Sequence, residues 1–256
     1  MRFKPRYLFS LIPVLLILVA LGYYFLRPTA NPNVLWNFVS QQCVPNQQQH
    51  GRPDPCIEVN EKSGFVVFKD MNGPLQYLLM PTARVTGVES PLLLETSTPN
   101  YFEQAWQARH FMVDKYGRPI DDSNISLAIN SEYGRSQNQF HIHISCLLPD
   151  VKTQLGEEAG DIGYRWQPLP TRLKGHTYMA RKVSPAELGE KGAFRLLAEG
   201  LPEARENMGH FGMAMVSLKS GDFLLLASQS NLLLFNFAST EEIQDHNCAV
   251  LNPPPH

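Results

Sequence analysis

The chain has 256 residues with 22 Lys and Arg against 24 Asp and Glu, a formal net charge of -2. No bulk basic field exists to hold DNA or RNA, so an anionic ligand must be met by local donors. Hydrophobic residues make up 43% and charged residues 18%, which excludes wholesale disorder and leaves room for one large domain or two small fused ones.

Arg2, Lys4 and Arg6 precede an uncharged, Leu/Ile/Val-rich stretch from Tyr7 to Leu26. At a rise of about 1.5 Å per residue this stretch would cross roughly 30 Å of hydrocarbon, with Tyr23 and Tyr24 near the interface. Three basic residues lie before it and only Arg27 directly after, which predicts a cytoplasmic N-terminus and a body outside the cytoplasm. A cleaved signal peptide is the competing reading, but the run is long and Pro28-Thr29-Ala30 makes a poor cleavage site.

The expected plan is 1–6 cytoplasmic, 7–26 transmembrane, 27–63 linker and disulfide loop, 64–150 and 151–250 two α+β halves, and 251–256 a flexible tail. Val34 to Gln42 can start a helix, and Cys43 to Pro55 reads as a polar loop. Strands are predicted at Gly64–Phe68 and, interrupted by Pro81, at Leu75–Val85, followed by a helix from Asn100 to Tyr116 stopped by Gly117. Ile125–Ile129 and Phe140–Leu147 are further strands, and the chain is then polar until Trp166. A strand at His176–Val183, helices starting at Ser184 and covering Ala193–Asn207 with a break at Pro202, and a hairpin of Phe211–Leu218 with Phe223–Ser228 complete the second half. Strand, helix, strand, strand recurs in both halves, compatible with a degenerate duplication. The fold class is α+β with a largely antiparallel sheet.

Four cysteines in a domain expected to be oxidised permit three pairings. The preferred one joins Cys43 to Cys56 and Cys146 to Cys248; a catalytic thiol at Cys146 is the alternative.

The segment from Asn130 to Cys146 carries the chemistry. Phe140, Ile142 and Ile144 alternate with His141, His143 and Ser145, so a strand places the polar three on one face, extended upstream by Gln137 and Gln139. This pattern resembles the histidine-triad superfamily. Asn130 lies 13 residues and Gln137 six residues before His143, the spacings expected if His143 is the nucleophile. Ser145 departs from the pattern, which has a third His there, and the register Gln139–His141–His143 would make His141 central instead. The runs 43–49, 69–82, 140–146 and 238–246, with the N-terminal apolar stretch, resemble the bacterial CDP-diacylglycerol pyrophosphatase family.

That resemblance implies an inner-membrane hydrolase, its catalytic domain periplasmic, with a histidine-triad-like core. The substrate would be CDP-diacylglycerol, presented by membrane lipid and cleaved to CMP and phosphatidate without a cofactor or metal. It also implies a nucleotidyl-histidine intermediate at His143, a supporting role for His141, and substrate contacts from Asn130, Gln137, Gln139 and Ser145. Arg135 is a candidate phosphate clamp, because a guanidinium binds phosphate bidentately. Lys69, Asp70 and the Asn72-Gly73-Pro74 turn read as structural; His110, His176, His210 and His246 read as surface groups, although a Cys146–Cys248 bridge would draw His246 toward the site. Two rival readings are a zinc hydrolase using His-x-His and an anchored binding protein for nucleotide or anionic lipid. The oligomeric state is open: many histidine-triad proteins pair to complete a sheet, a purpose the second half can serve within one chain.

Overall fold

A computed structural model describes residues 31–251, together with the isolated positions Pro13 and Leu16. Apart from those two positions, the apolar span expected at 7–26 lies outside the described residues, as does the tail beyond Leu251. Among the described residues no helix is long and apolar enough to cross a membrane.

The first helical stretch runs further than its sequence suggests: α1 (Val34–Phe38), a π turn (Val39–Cys43) and α2 (Val44–His50) follow without a break. The expected polar loop from Cys43 is therefore helical as far as His50. Pro45, which lacks an N–H, is the second residue of α2, in the first turn after the π turn, where a missing donor is tolerated. Gly51, at φ +65°, ends the helix in the left-handed region. Cys43 and Cys56 are joined by a disulfide.

Ten strands among the described residues form one antiparallel sheet. They are β1 (Glu58–Asn60), β2 (Phe65–Lys69), β3 (Tyr77–Pro81), β4 (Ile125–Ile129), β5 (Ile142–Leu147), β6 (Gln167–Pro168), β7 (Met179–Val183), β8 (Phe211–Ser217), β9 (Phe223–Gln229) and β10 (Gln244–Asp245). Their order is β1-β2-β3-β5-β4-β8-β9-β7-β6, and β10 pairs with β5. The order reads symmetrically outward from the β4–β8 pair. β4, then β5 and β3, lie on one side; β8, then β9 and β7, lie on the other. Each half contributes strand, helix, strand, strand, so the two expected halves share one sheet.

The helical layer on one face comprises α3 (Tyr101–Ala108) and α4 (His110–Tyr116), with α6 (Pro185–Lys191), α7 (Ala193–Gly200) and α8 (Pro202–Glu206). The helix expected at 100–116 is thus two segments meeting at Arg109, opened by Asn100, whose side chain accepts from the Glu103 amide, and closed by Gly117 at φ +78°. Ser184 caps α6 by accepting from the Glu187 amide. Phe102, Met112, Ile125, Ile142, Ile144, Leu225 and Ala227 pack in the core beneath these helices.

The opposite face is covered in two pieces. Leu35, Val39, Cys43 and Cys56 pack on Val66, Leu78 and Met80 of β2 and β3. At the other side, α5 (Pro149–Glu158) brings Val151 and Leu155 onto Ala128, Ala214, Leu224 and Leu226. Sequence reading left α5 as a polar segment, because Val151 and Leu155 are its buried positions and the rest of the helix is hydrophilic. Between these two apolar caps lies the polar face of β5.

Candidate active site

β5 begins at Ile142, one residue after His141, and its alternation sends Ile142, Ile144 and Cys146 into the helical core. His143 and Ser145 take the other face, where His143 lies between Leu78 of β3 and Ala128 of β4. His141 and His143 are both buried, and their rings meet edge to face with centroids 4.8 Å apart.

The two imidazoles have different partners. His141 Nδ1 lies 2.6 Å from the Gln139 carbonyl oxygen. A carbonyl can only accept, so Nδ1 carries the proton and the lone pair of a neutral ring is left on Nε2. His143 Nδ1 lies 3.2 Å from Gln76 Nε2, an amide donor, so in a neutral ring Nδ1 accepts and Nε2 carries the proton. That Nε2 is 3.4 Å from Glu241 Oε2, yet it makes no hydrogen bond and is sealed from solvent. Burial pushes the pKa of both rings down to about 4; at His141 the neighbouring His143 adds to the fall, while at His143 Asp70 opposes it and His246 adds to it. Both rings are neutral at pH 7.

Around His143 stands a polar network. The Gln76 amide nitrogen donates to Asp70 Oδ2 at 2.8 Å and lies 3.4 Å from Glu241 Oε1, while its oxygen accepts from His246 Nδ1. Asn130 holds Glu241 from two sides, donating to Oε2 at 3.1 Å and accepting from the Glu241 amide at 3.1 Å. Gln244 donates to the backbone oxygens of Ser126 and His143. The strap that delivers Glu241 is anchored by Thr240, whose hydroxyl is 2.9 Å from the carbonyls of both Ile129 and Met213. β10 on β5 and the Cys146–Cys248 disulfide hold its far end. At the Asn72-Gly73 turn a Cβ on Gly73 would meet the His246 carbonyl at 2.0 Å, so this turn packs directly on the strap.

Sequence reasoning named some of these groups and missed others. Asn130, His141, His143 and Ser145 gather at one place. Gln137 does not join them: its side-chain oxygen accepts from the Leu35 amide. The Gln139 amide nitrogen is engaged by the carbonyls of Pro81 and Ala83, and its side-chain oxygen is buried without a partner. Arg135 is turned away from a phosphate role, since Glu89 takes both terminal guanidinium nitrogens at 2.6 and 2.7 Å. Ser145 Oγ is fully buried and makes no hydrogen bond. Asp70, read as structural, and His246, read as a surface group, enter the site through Gln76. Gln76 and Glu241 went unnamed singly, yet both lie in the segments 69–82 and 238–246 that carried the family resemblance. Among the described residues, no group of three His, Cys, Asp or Glu side chains is placed to hold a metal ion.

An antiparallel α+β sheet presenting two neutral imidazoles beside a carboxylate and amide network makes a site suited to nucleophilic or acid–base chemistry on a polar substrate. The chain belongs to the CDP-diacylglycerol pyrophosphatase family, whose model matches residues 30–252. A CDP-diacylglycerol pyrophosphatase of Yersinia pestis is 53% identical over 246 residues, covering 96% of this chain and 95% of the relative. Among solved structures, a DUF4931 family protein from Bacillus cereus is similar at a TM-score of 0.42 with 9% identity, covering 72% of this chain and 90% of that one.

Proposed function

We propose that the chain hydrolyses the diphosphate of CDP-diacylglycerol to CMP and phosphatidate through a nucleotidyl-histidine, and that His141 is the nucleophile. Family membership and the long, closely similar relative support the reaction. The observation that carries the assignment is the Gln139 carbonyl on His141 Nδ1, which leaves the Nε2 lone pair available for attack. The 13-residue spacing from Asn130 favours His143, but the hydrogen bond from Gln76 gives that ring the opposite tautomer.

In this reading His141 Nε2 attacks the phosphorus on the cytidine side, the bond to the bridging oxygen breaks, and phosphatidate leaves. Water then cleaves the phosphorus–nitrogen bond, releasing CMP and restoring neutral His141. The His143 ring stands edge to face against His141 with centroids 4.8 Å apart, and Glu241 lies beyond it, so this pair is suited to balance the positive charge that develops on His141 as it attacks. Phosphoryl transfer depends on positioning and charge stabilisation more than on covalent help. β5, held inside the sheet between β3 and β4, supplies the former, and the Gln76–Asn130–Glu241 network supplies the latter.

The symmetric strand order supports a histidine-triad-like core in which halves 64–150 and 151–250 together complete the sheet. The uncharged stretch 7–26 behind a basic N-terminus, and two disulfides, support an anchored enzyme with its catalytic body in the periplasm. Rapid quenching with label in the cytidine-side phosphate is expected to trap it on His141. Label on His143 reverses the two roles, and label on neither, with turnover intact, removes the covalent route. A protein that binds CDP-diacylglycerol but releases no CMP would be a carrier instead.

A further inference from the structure

The segment joining β9 to the site strap is unusual for an exposed loop. From Phe223 to Thr240 the chain carries no charged residue. Within it Leu232, Leu233, Leu234, Phe235 and Phe237 are all exposed, Leu233 at 92% and Phe235 at 79% of full accessibility. Water-facing apolar side chains clustered in this way mark an interaction surface.

The base of this loop is closed while its tip is bare. Asn231 and Asn236 exchange backbone hydrogen bonds at 2.7 and 3.0 Å. The buried Asn236 side chain donates to Ser228 Oγ and the Gln229 carbonyl and accepts from the Ala238 amide. The Leu234 amide donates back to Asn231. Polar backbone at the base is thus satisfied internally, which confines the apolar surface to the tip. Phe235 is held at φ +55°, a left-handed conformation costly for an aromatic residue, and it is held there with its ring in solvent.

The loop is also wired to the site. Ser131, next to Asn130, donates its hydroxyl to the Phe237 carbonyl at 2.6 Å and its amide to the Ala238 carbonyl at 3.1 Å. Glu241 follows Phe237 by four residues, which even fully extended span at most about 14 Å. The apolar tip is therefore tethered within a short reach of the reacting groups.

We infer that residues 232–237 form an interfacial knuckle that enters the acyl boundary of a lipid surface and sets the site at headgroup depth. The inference rests on the substrate reading above, since a diacyl substrate has to be met where its chains lie. The absence of charge argues for lipid as occupant: an uncharged, Leu- and Phe-tipped loop loses no ionic hydration on entering the interface.

The test uses the full chain carrying Leu233→Asp and Phe235→Asp together. Substrate is offered in two forms, long-chain CDP-diacylglycerol in phosphatidylcholine vesicles and a dihexanoyl analogue dissolved below its micellar concentration. The double variant is expected to keep wild-type turnover of the soluble analogue and to lose about tenfold or more in kcat/KM on vesicles. Equal loss on both substrates, or none on either, overturns the knuckle. Failure of the wild type to release CMP from either substrate defeats the substrate reading instead. A Leu233→Trp variant should be quenched by brominated phosphatidylcholine, and absence of added quenching over wild type also overturns the inference. So does a lipid-free wild-type dimer that the double Asp variant dissociates, because the patch would then be a protein interface.

Discussion

β5 and β9 occupy matching places on either side of the β4–β8 pair, but their outer faces have opposite chemistry. β5 turns His143 and Ser145 outward beside Ala128; β9 turns Leu224 and Leu226 outward beside Ala214. Over β9 the outward residues are roofed by Val151, Leu155 and Leu173 in a continuous apolar cluster. Over β5 the roof is polar, and three buried atoms, His143 Nε2, Ser145 Oγ and Gln244 Oε1, have no hydrogen-bond partner. Leaving such atoms unpaired costs stability, about 1–3 kcal/mol each. One half of the sheet is thus built to hold the fold, and the other carries the polar groups of the candidate site at a cost in stability.

The comparison can be broken most sharply at His141. On the proposed covalent route, substituting it by Ala should lower kcat by about 10³-fold or more, because no neighbouring group then takes over the attack. The soluble short-chain assay checks this, and a loss below tenfold would return the role to His143. Next, Leu226→Ala should cost about 2–5 kcal/mol in urea unfolding while leaving kcat near wild type. Glu241→Gln should reduce kcat about 10–100-fold with little change in melting temperature, separating charge balance from packing. Ser145→Ala is expected to leave stability unchanged or slightly raised, since it removes a buried unpaired hydroxyl. A Ser145→Ala cost above about 2 kcal/mol would contradict the division of labour.

A pH series tests the same division without mutation. Both rings titrate at about 4 in the folded chain against 6.5 when unperturbed. Protonation removes the attacking lone pair, so turnover should persist down to about pH 5 and fall through pH 4. Between about 6.5 and 4 the unfolded chain binds protons that the folded rings refuse, so stability falls as pH falls across that window.

What the sequence made legible follows from where each signal resides. Ile125–Ile129, the Phe211–Gln229 hairpin and the Ser184 cap each carry a local pattern, and each element forms where that pattern lies. α5 and the helical stretch across Cys43 were hidden because their residues are mostly polar and tertiary packing decides their state. His-x-His was legible by alternation, and the cysteine pairing observed is the preferred one of three. Gln76 and Glu241 carry no local signal of chemistry. They reach His143 across 67 and 98 positions of chain only because β3 and the strap flank β5. Arg135 misled for a related reason: a guanidinium in a turn looks free until the fold brings Glu89 to it.

The link from Cys146 to Cys248 deserves to be followed into the life of the molecule. Cys146 lies on the strand that bears His143, and Cys248 sits two residues beyond His246. A freshly made, still-reduced chain lacks this clasp between the strand and the segment that brings Glu241 and His246. Closing the bond fixes, on one covalent tether, the distance between the strand of His143 and the segment carrying His246, so reduction of Cys146–Cys248 should loosen the site before it loosens the apolar half of the sheet.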